Sequence, residues 1–310
     1  MRVLVTGGAG FLGRRLVDRL RARPDVERIV VLDVAAPADP RPGVEVRLGS
    51  LTDRPVVDAA LADAGDVIVH LASMVSAGAE AAPAEAMAVN VGGMLALLDA
   101  AGRLESPPRL VFASSVAVFG PPAATAGVGD VTKLTPRTVY GTTKAIGELL
   151  VDDATRRGVV DGRTARLPTV IVRPGAPNAA ASGFASGMFR EPLAGVAAVV
   201  PVAETTPIVV IGPETAVGGI EGLIDLEGER LGPDRASCLP GVETDVGEML
   251  AVLTEVGGAS ARALVTVQPD PATEGIVSSW PSRWDDRRAR ALGLPADDSL
   301  TSIVREYVDA

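Results

Sequence analysis

The sequence predicts an α/β fold: a doubly wound parallel sheet followed by a smaller, mixed C-terminal part. Three observations predict it. Short apolar runs alternate with helical segments through residues 1–173, the pattern of parallel strands covered on both faces by helices. The runs are nearly continuous instead of alternating with polar residues, as in strands buried on both sides. After Arg173-Pro174-Gly175 glycine, proline and serine become frequent and the apolar pieces shorten.

The elements follow in order. Val3-Leu4-Val5 is the first strand, and Thr6-Gly7-Gly8-Ala9-Gly10-Phe11-Leu12-Gly13 is a glycine turn. A helix continues through Leu16, Val17 and Leu20, and the second strand, Ile29 to Leu32, ends on Asp33. Val44–Leu48 and Asp66–Leu71 are the third and fourth strands. Pro83 to Gly102 is an Ala/Leu/Met-rich helix, Arg109–Ala113 the fifth strand, Val139–Thr155 a helix and Thr164–Val172 the sixth strand. Residues 1–173 are thus expected to form a dinucleotide-binding domain and 174–310 a substrate-binding part. Helices are expected there at Thr244–Glu255 and Ser299–Val308, and Ile208–Ile211 is expected to return to the main sheet.

The glycine turn sits where a dinucleotide needs it. Glycines let backbone approach a pyrophosphate, and the following helix N-terminus offers free N–H groups to its charge. The spacing Gly7, Gly10, Gly13 is one residue looser than the commonest fingerprint. Asp33, about 20 residues on, is placed to hold a ribose diol. Its carboxylate would repel a 2′-phosphate and no arginine directly follows it, which favours NAD over NADP.

Composition narrows the classes. A net charge of −10 over 310 residues disfavours nucleic acid or an anionic membrane as partner, although a local basic pocket can still take a small anion. Cys238 is the only cysteine, so no intrachain disulfide forms and a reducing compartment fits. The N-terminus enters a strand directly, without a signal-peptide pattern. The apolar stretch around Leu193 to Ala203 is too short to span a bilayer. A cytoplasmic protein is expected. No His/Cys/acid cluster points to a metal site.

Three groups carry chemistry. Tyr140 and Lys144 are at i and i+4 on one helix, so phenol and ammonium share a face. A nearby positive charge lowers a tyrosine pKa, which would make Tyr140 a general base. Ser115, just past the fifth strand, lies where ligands gather in a doubly wound sheet and can hold a substrate oxygen; Ser114 reads as backbone capping. Arg173, after the sixth strand, can clamp a carboxylate. Ser76, Asn178, Ser182 and Arg190 are further pocket candidates. His70, the sole histidine, ends a buried strand and reads as structural, and Trp280 reads as core.

These motifs together resemble the extended short-chain dehydrogenases/reductases, the NAD-dependent epimerase/dehydratase superfamily. Thr6 to Gly13, Asp33, His70-Leu71-Ala72, Asn90, Ser114 to Gly120, Tyr140 to Lys144 and Arg173-Pro174-Gly175 carry the resemblance. It covers essentially the whole chain and implies a Rossmann-type sheet. It also implies pyrophosphate contacts at Gly7, Gly10, Phe11 and Leu12, ribose at Asp33, adenine contacts through backbone at Leu51, and cofactor contacts at Leu71 and Ala72. Asn90 would support the cofactor site, and Pro168 to Val170 would approach the nicotinamide. Ser115, Tyr140 and Lys144 would be the catalytic set, with Tyr140 and Lys144 also touching the cofactor. Ser76, Ser115, Tyr140, Arg173, Asn178 and Ser182 would face the substrate.

Within the family, Leu110 to Gly120, Arg166 to Thr169, Val172 to Gly175, Phe184 to Gly187, Arg190 to Leu193 and Ser279-Trp280-Pro281 resemble dehydrogenases of four-carbon hydroxy acids. Ser279-Trp280-Pro281 with Asp285 is also similar to threonine-oxidising members. The implied reaction is NAD-dependent oxidation of a short hydroxy acid. The alternatives are a nucleotide-sugar epimerase or dehydratase, or threonine oxidation. A homodimer packed through segments 83–102 and 138–157 is also implied. Ser50, Phe119 and Ser73 depart from the usual family residues.

Overall fold

The computed structural model describes residues 1–121, 127–175 and 182–309. Its main sheet has seven strands, all parallel. They are β1 (Arg2–Thr6), β2 (Arg28–Asp33), β3 (Val44–Leu48), β4 (Val67–His70), β5 (Arg109–Ser115), β6 (Asp161–Leu167) and β10 (Ala236–Cys238). The spatial order is β10-β6-β5-β4-β1-β2-β3, so the chain reverses direction across the sheet between β1 and β4. The carboxyl ends beside that reversal are where a crevice opens.

Alternate residues of each strand feed opposite cores. Val3 and Val5 face one side with helix Phe11–Arg21 and helix Pro213–Asp225. Leu4, Ile68, Leu110 and Phe112 face the other, with helices Arg54–Asp63, Gly93–Ala101 and Val139–Arg156. Two-sided burial is why these strands read as continuous apolar runs.

Two expectations are corrected, and one helix needs comment. Ile208–Ile211 does not rejoin the main sheet: it lies in β9 (Pro207–Ile211), between β11 (Val242–Asp245) and β7 (Thr169–Val170) in a separate three-stranded sheet. The strand that returns is β10, against β6. At three residues it is too short to show a period. The sixth strand starts earlier, at Asp161, and Pro168 divides it from β7, since proline has no N–H for the ladder. Finally, helix Pro83–Ala101 is long and apolar enough to cross a membrane by length and composition, with half of it buried inside the protein. It serves as a core helix here: Met94, Leu97 and Ala101 are buried against the sheet. Its middle, Met87–Gly92, is a π-helical segment carrying Asn90.

The C-terminal part has its own core. Phe189, Val200, Ile208, Met249, Leu253 and Ile303 pack together, with β8 (Ala198–Val200) parallel to β12 (Val265–Val267). Trp284 ties this part back to the main body: its Nε1 donates to the Leu239 carbonyl at 2.7 Å, and its ring meets Phe119 edge-on at 6.0 Å.

Candidate active site

The glycine turn is packed to its limit. Gly7 has φ +73°, and a Cβ there would lie 2.7 Å from the Ala72 amide nitrogen. A Cβ on Gly13 would lie 2.2 Å from the Gly7 carbonyl oxygen. Side chains are excluded at both positions, so bare backbone lines the crevice. The Gly10 amide donates to Gly7 O at 3.0 Å, and Arg14 N is the amide that closes the first helical turn on Gly10 O. The amides of Phe11 and Leu12 are first-turn amides with no helical acceptor of their own. This cradle fits a pyrophosphate.

Asp33 ends β2 beside the turn. Its Oδ2 accepts from the Ala9 amide at 3.0 Å and its Oδ1 from the Ala35 amide at 3.1 Å. Those bonds fix the carboxylate and leave lone pairs on each oxygen for ribose hydroxyls. Asp33, Ser50, Leu51 and Ala72 line a cleft of about 440 Å³ with Gly7, Gly10 and Leu71. Ser50 bonds Thr52 Oγ1 at 2.8 Å.

Gly7, Gly10 and Leu71 also line a second, adjoining cleft of about 380 Å³. Phe11, Leu12, Ser76, Ser115, Tyr140, Lys144, Pro168, Val170, Arg173, Ser182 and Arg190 line it too. The structure therefore brings together the candidate catalytic set, the two nicotinamide-side residues and most of the pocket candidates. Asn178 lies outside the described residues. Asn90 lines neither cleft. It is buried, accepting from Met74 N at 2.8 Å and donating to Met74 O and to Thr143 Oγ1 at 3.0 Å. It ties the cleft wall to the helix that carries Tyr140, a place from which it can support the site.

Helix Val139–Arg156 begins with Thr138, whose hydroxyl accepts from Gly141 N at 3.0 Å. Gly141 is required there, since a Cβ would lie 2.1 Å from Ala117 O. This close packing brings Tyr140 within hydrogen-bonding reach of Ser115. The Ser115 hydroxyl also accepts from Ala117 N at 3.2 Å. Lys144 is buried; its Nζ donates to Ala113 O at 2.8 Å and lies 4.8 Å from the Phe112 ring centroid.

The electrostatics differ from expectation. Burial pushes the Tyr140 phenol up to about 12, opposed only by the Ser115 hydrogen bond. Burial pushes Lys144 down to about 7, opposed by the Glu148 charge. Lys144 faces the Tyr140 ring, 5.6 Å from its centroid, and its ammonium is committed to the Ala113 carbonyl. The sequence predicts that Lys144 lowers the phenol; in the protein alone, only the Ser115 hydrogen bond does.

His70 is buried, with Nδ1 2.7 Å from Thr6 Oγ1 and its ring stacked on Phe112 at 5.6 Å. Burial first, then Lys144, holds its pKa down at about 3, so it is a neutral structural histidine. Arg173 has a different environment. Its guanidinium lies 5.8 Å from the Phe11 ring centroid and pairs with no carboxylate among the described residues. Burial, then Arg190 and Arg14, lower its pKa. Arg190 is engaged, donating to Arg173 O at 2.8 Å and pairing with Glu191 at 2.5 Å. Trp280, read as core, packs against the C-terminal core and also lines the cleft. Thr138 and Ser186 line it as well and were missed; Ser186 Oγ accepts from Arg173 N at 3.1 Å. Among the described residues no group of three or more His, Cys, Asp or Glu could hold a metal.

A parallel sheet with a glycine cradle at its switch point and a Tyr-Lys pair beside it defines a class, and comparison gives that class its name. The model of the NAD dependent epimerase/dehydratase family matches residues 3–215, and the chain belongs to this family. Among characterised relatives it is 44% identical to D-erythronate dehydrogenase of Cupriavidus necator, covering all of this chain and 98% of the relative. It is 36% identical to D-erythronate dehydrogenase of Haemophilus influenzae, covering all of this chain and 99% of that protein. A solved structure described as a nucleoside-diphosphate-sugar epimerase from Agrobacterium tumefaciens matches with a TM-score of 0.93 at 37% identity, covering all of this chain and 94% of the other.

Proposed function

We propose that this protein is an NAD-dependent dehydrogenase of a short hydroxy acid, acting on D-erythronate at C2 to give 2-dehydro-D-erythronate. One observation carries the reading. A phenol, a hydroxyl and a buried amine share one cleft with an arginine that pairs with no carboxylate among the described residues. The full-length identity to two D-erythronate dehydrogenases supports the choice of acid.

Bound NAD supplies the hydride acceptor and a positive ring. The glycine cradle holds its pyrophosphate, and Asp33 its ribose. Arg173 orients the substrate carboxylate, with Phe11 stacked beneath it. Ser115 donates to the substrate oxygen, and Tyr140 as phenolate takes the hydroxyl proton. Because burial alone holds the phenol near 12, the proton moves only when positive charge sits beside Tyr140. Lys144, its Nζ over the Tyr140 ring at 5.6 Å from the centroid, is the nearby amine of this chain. Trp280 and Val75 line the cleft with apolar surface.

Initial rates of NADH formation over a panel of D-erythronate, its stereoisomers and L-threonine test this. D-Erythronate should be oxidised fastest. Absence of NADH with every acid, together with NAD that survives purification, would favour the second reading, a nucleotide-sugar epimerase, which the Agrobacterium structure's description favours.

We infer a homodimer as well. Met87 and Leu95 on one helix and Leu149 on the other are exposed apolar side chains on the two segments that would pair. Sedimentation equilibrium reads the mass. A cytoplasmic location, without membrane or nucleic acid, completes the proposal, supported by the charge and the single unpaired, buried Cys238.

A further inference from the structure

Behind the cleft, on the same helix face as Tyr140 and Lys144, lies a buried ionic group that the reaction above does not use. Glu148 follows Lys144 by one turn. It is buried, and its Oε1 accepts from the Ser114 hydroxyl at 2.5 Å. Arg166, on β6 and also buried, grips it from the other side. Nε donates to both carboxylate oxygens at 3.1 Å and Nη2 to Oε2 at 2.7 Å. Arg166 is itself fixed, with Nη1 on Asp130 O at 2.6 Å and its guanidinium 5.2 Å from the Phe119 ring centroid. Asp130 is fixed in turn by Arg288 at 3.0 Å and by the Cys238 amide at 2.6 Å.

Two consequences follow. Ser114 and Ser115 are neighbours at the end of β5, pointing to opposite sides: Ser114 back to Glu148, Ser115 into the cleft. Tying Ser114 fixes the rotation of the strand end that presents Ser115. The second consequence is electrostatic. Lys144 is surrounded by Tyr140 on its own helix, Phe112 and the Ala113 carbonyl on β5, and His70 on β4, which is neutral. Glu148 is the charge of opposite sign acting on Lys144. Asp152, one turn further on, is acidic too, and Asp234 and Glu148 act on it from β10's approach and the same helix, with Arg166 and Arg235 opposing.

We propose that Glu148 is a positioning residue for the dehydrogenase reaction: it holds Ser115 in place through Ser114, and it stands one helical turn from Lys144 as the opposing charge. The kinetic part rests on the dehydrogenase reading; the titration part does not. Lys144 and Lys133 are the only lysines in the chain, so lysine labelled with ¹³C at Cε gives two resonances in the full-length protein. In the unsubstituted protein, Lys144 should titrate well below the ordinary lysine range while remaining protonated at pH 6. In Glu148→Gln, which preserves shape and can still accept from Ser114, the proton affinity of Lys144 should fall about tenfold. The alkaline limb of kcat/KM should move to lower pH with it. Ser114→Ala should leave the Lys144 titration in place and lower turnover equally at every pH.

Glu148→Gln leaves Arg166 buried without its partner. If that variant does not fold, Glu148→Gln/Arg166→Gln removes the pair together; because a positive charge leaves with the negative one, the fall should be in the same direction and smaller. An unchanged Lys144 titration in whichever variant folds, a uniform loss at all pH values in Glu148→Gln, or a Lys144 already neutral at pH 6 in the unsubstituted protein would each overturn the proposal. If Lys144 titrates as expected and no acid is oxidised, the dehydrogenase reading fails and the charge relation stands.

Discussion

The two clefts that meet at Gly7 are built in opposite ways. The cofactor side is mostly backbone: Gly7, Gly10 and Gly13 pack so tightly that a Cβ would collide at two of them. It comes from consecutive residues of one turn, with Asp33 bonded directly to that turn. The substrate side is side chains: Ser115, Tyr140, Arg173 and Trp280 arrive from four separate segments. A site made of backbone is specified by local spacing, whereas one made of convergent side chains is specified by how the segments pack. The first should therefore tolerate no added atoms, and the second should respond to the loss of single functional groups.

Substitutions can break or sharpen that contrast. Tyr140→Phe removes the proton acceptor and leaves the cradle alone. Turnover should fall about a thousandfold with the NAD dissociation constant essentially kept, as measured by steady-state kinetics and NAD titration. Wild-type rates would end the base assignment and place the chemistry elsewhere in the cleft.

Gly13→Val should act on the other side. The added side chain meets the Gly7 carbonyl and displaces the turn, so NAD affinity should weaken about a hundredfold, read by calorimetry. Unchanged affinity would show that the cradle yields and is not the rigid half.

Arg173→Met keeps the stem and removes the charge. The lost charge-assisted bond to a carboxylate is worth about 1.5–3 kcal/mol, so KM for the acid should rise roughly tenfold to a hundredfold with kcat little changed. A fall in kcat with constant KM would instead make Arg173 a partner of the transition state.

The smallest effect is on stability. His70 is held near 3 in the fold by burial, against about 6.5 when unfolded. The unfolded chain therefore binds the extra proton first, and stability should decline as pH falls from about 6.5 towards 3. His70→Gln should flatten that part of the melting-temperature profile by a few degrees. An unaltered slope would assign the decline to the carboxylates.

Much of this was legible beforehand, for particular reasons. β1, β2, β4 and β5 stood out because their middles are buried on both faces and read as apolar runs, whereas β3 alternates apolar with charged residues and is only half-buried. The Tyr140–Lys144 pair stood out because helical spacing puts i and i+4 together. The partners through which Asn90 would support the site, Met74 and Thr143, were not legible, because they are 16 and 53 residues away in the chain. Ser114 was passed over because its partner Glu148 is 34 residues away. The i+4 spacing from Lys144 to Glu148 was the available signal. β10 went unseen because its three residues acquire strand character only by lying against β6.

The sequence by itself determined the sheet, the glycine turn, the acid that closes it and the helix face carrying phenol and amine. Each depends on contacts within a few residues or on a repeating period. Tertiary structure alone decided the charge state around that amine, the pairing of Arg166 and the solitude of Arg173 among the described residues. Burial and ion pairing depend on groups distant in the chain, and the free energy of a charge is set by what surrounds it after packing.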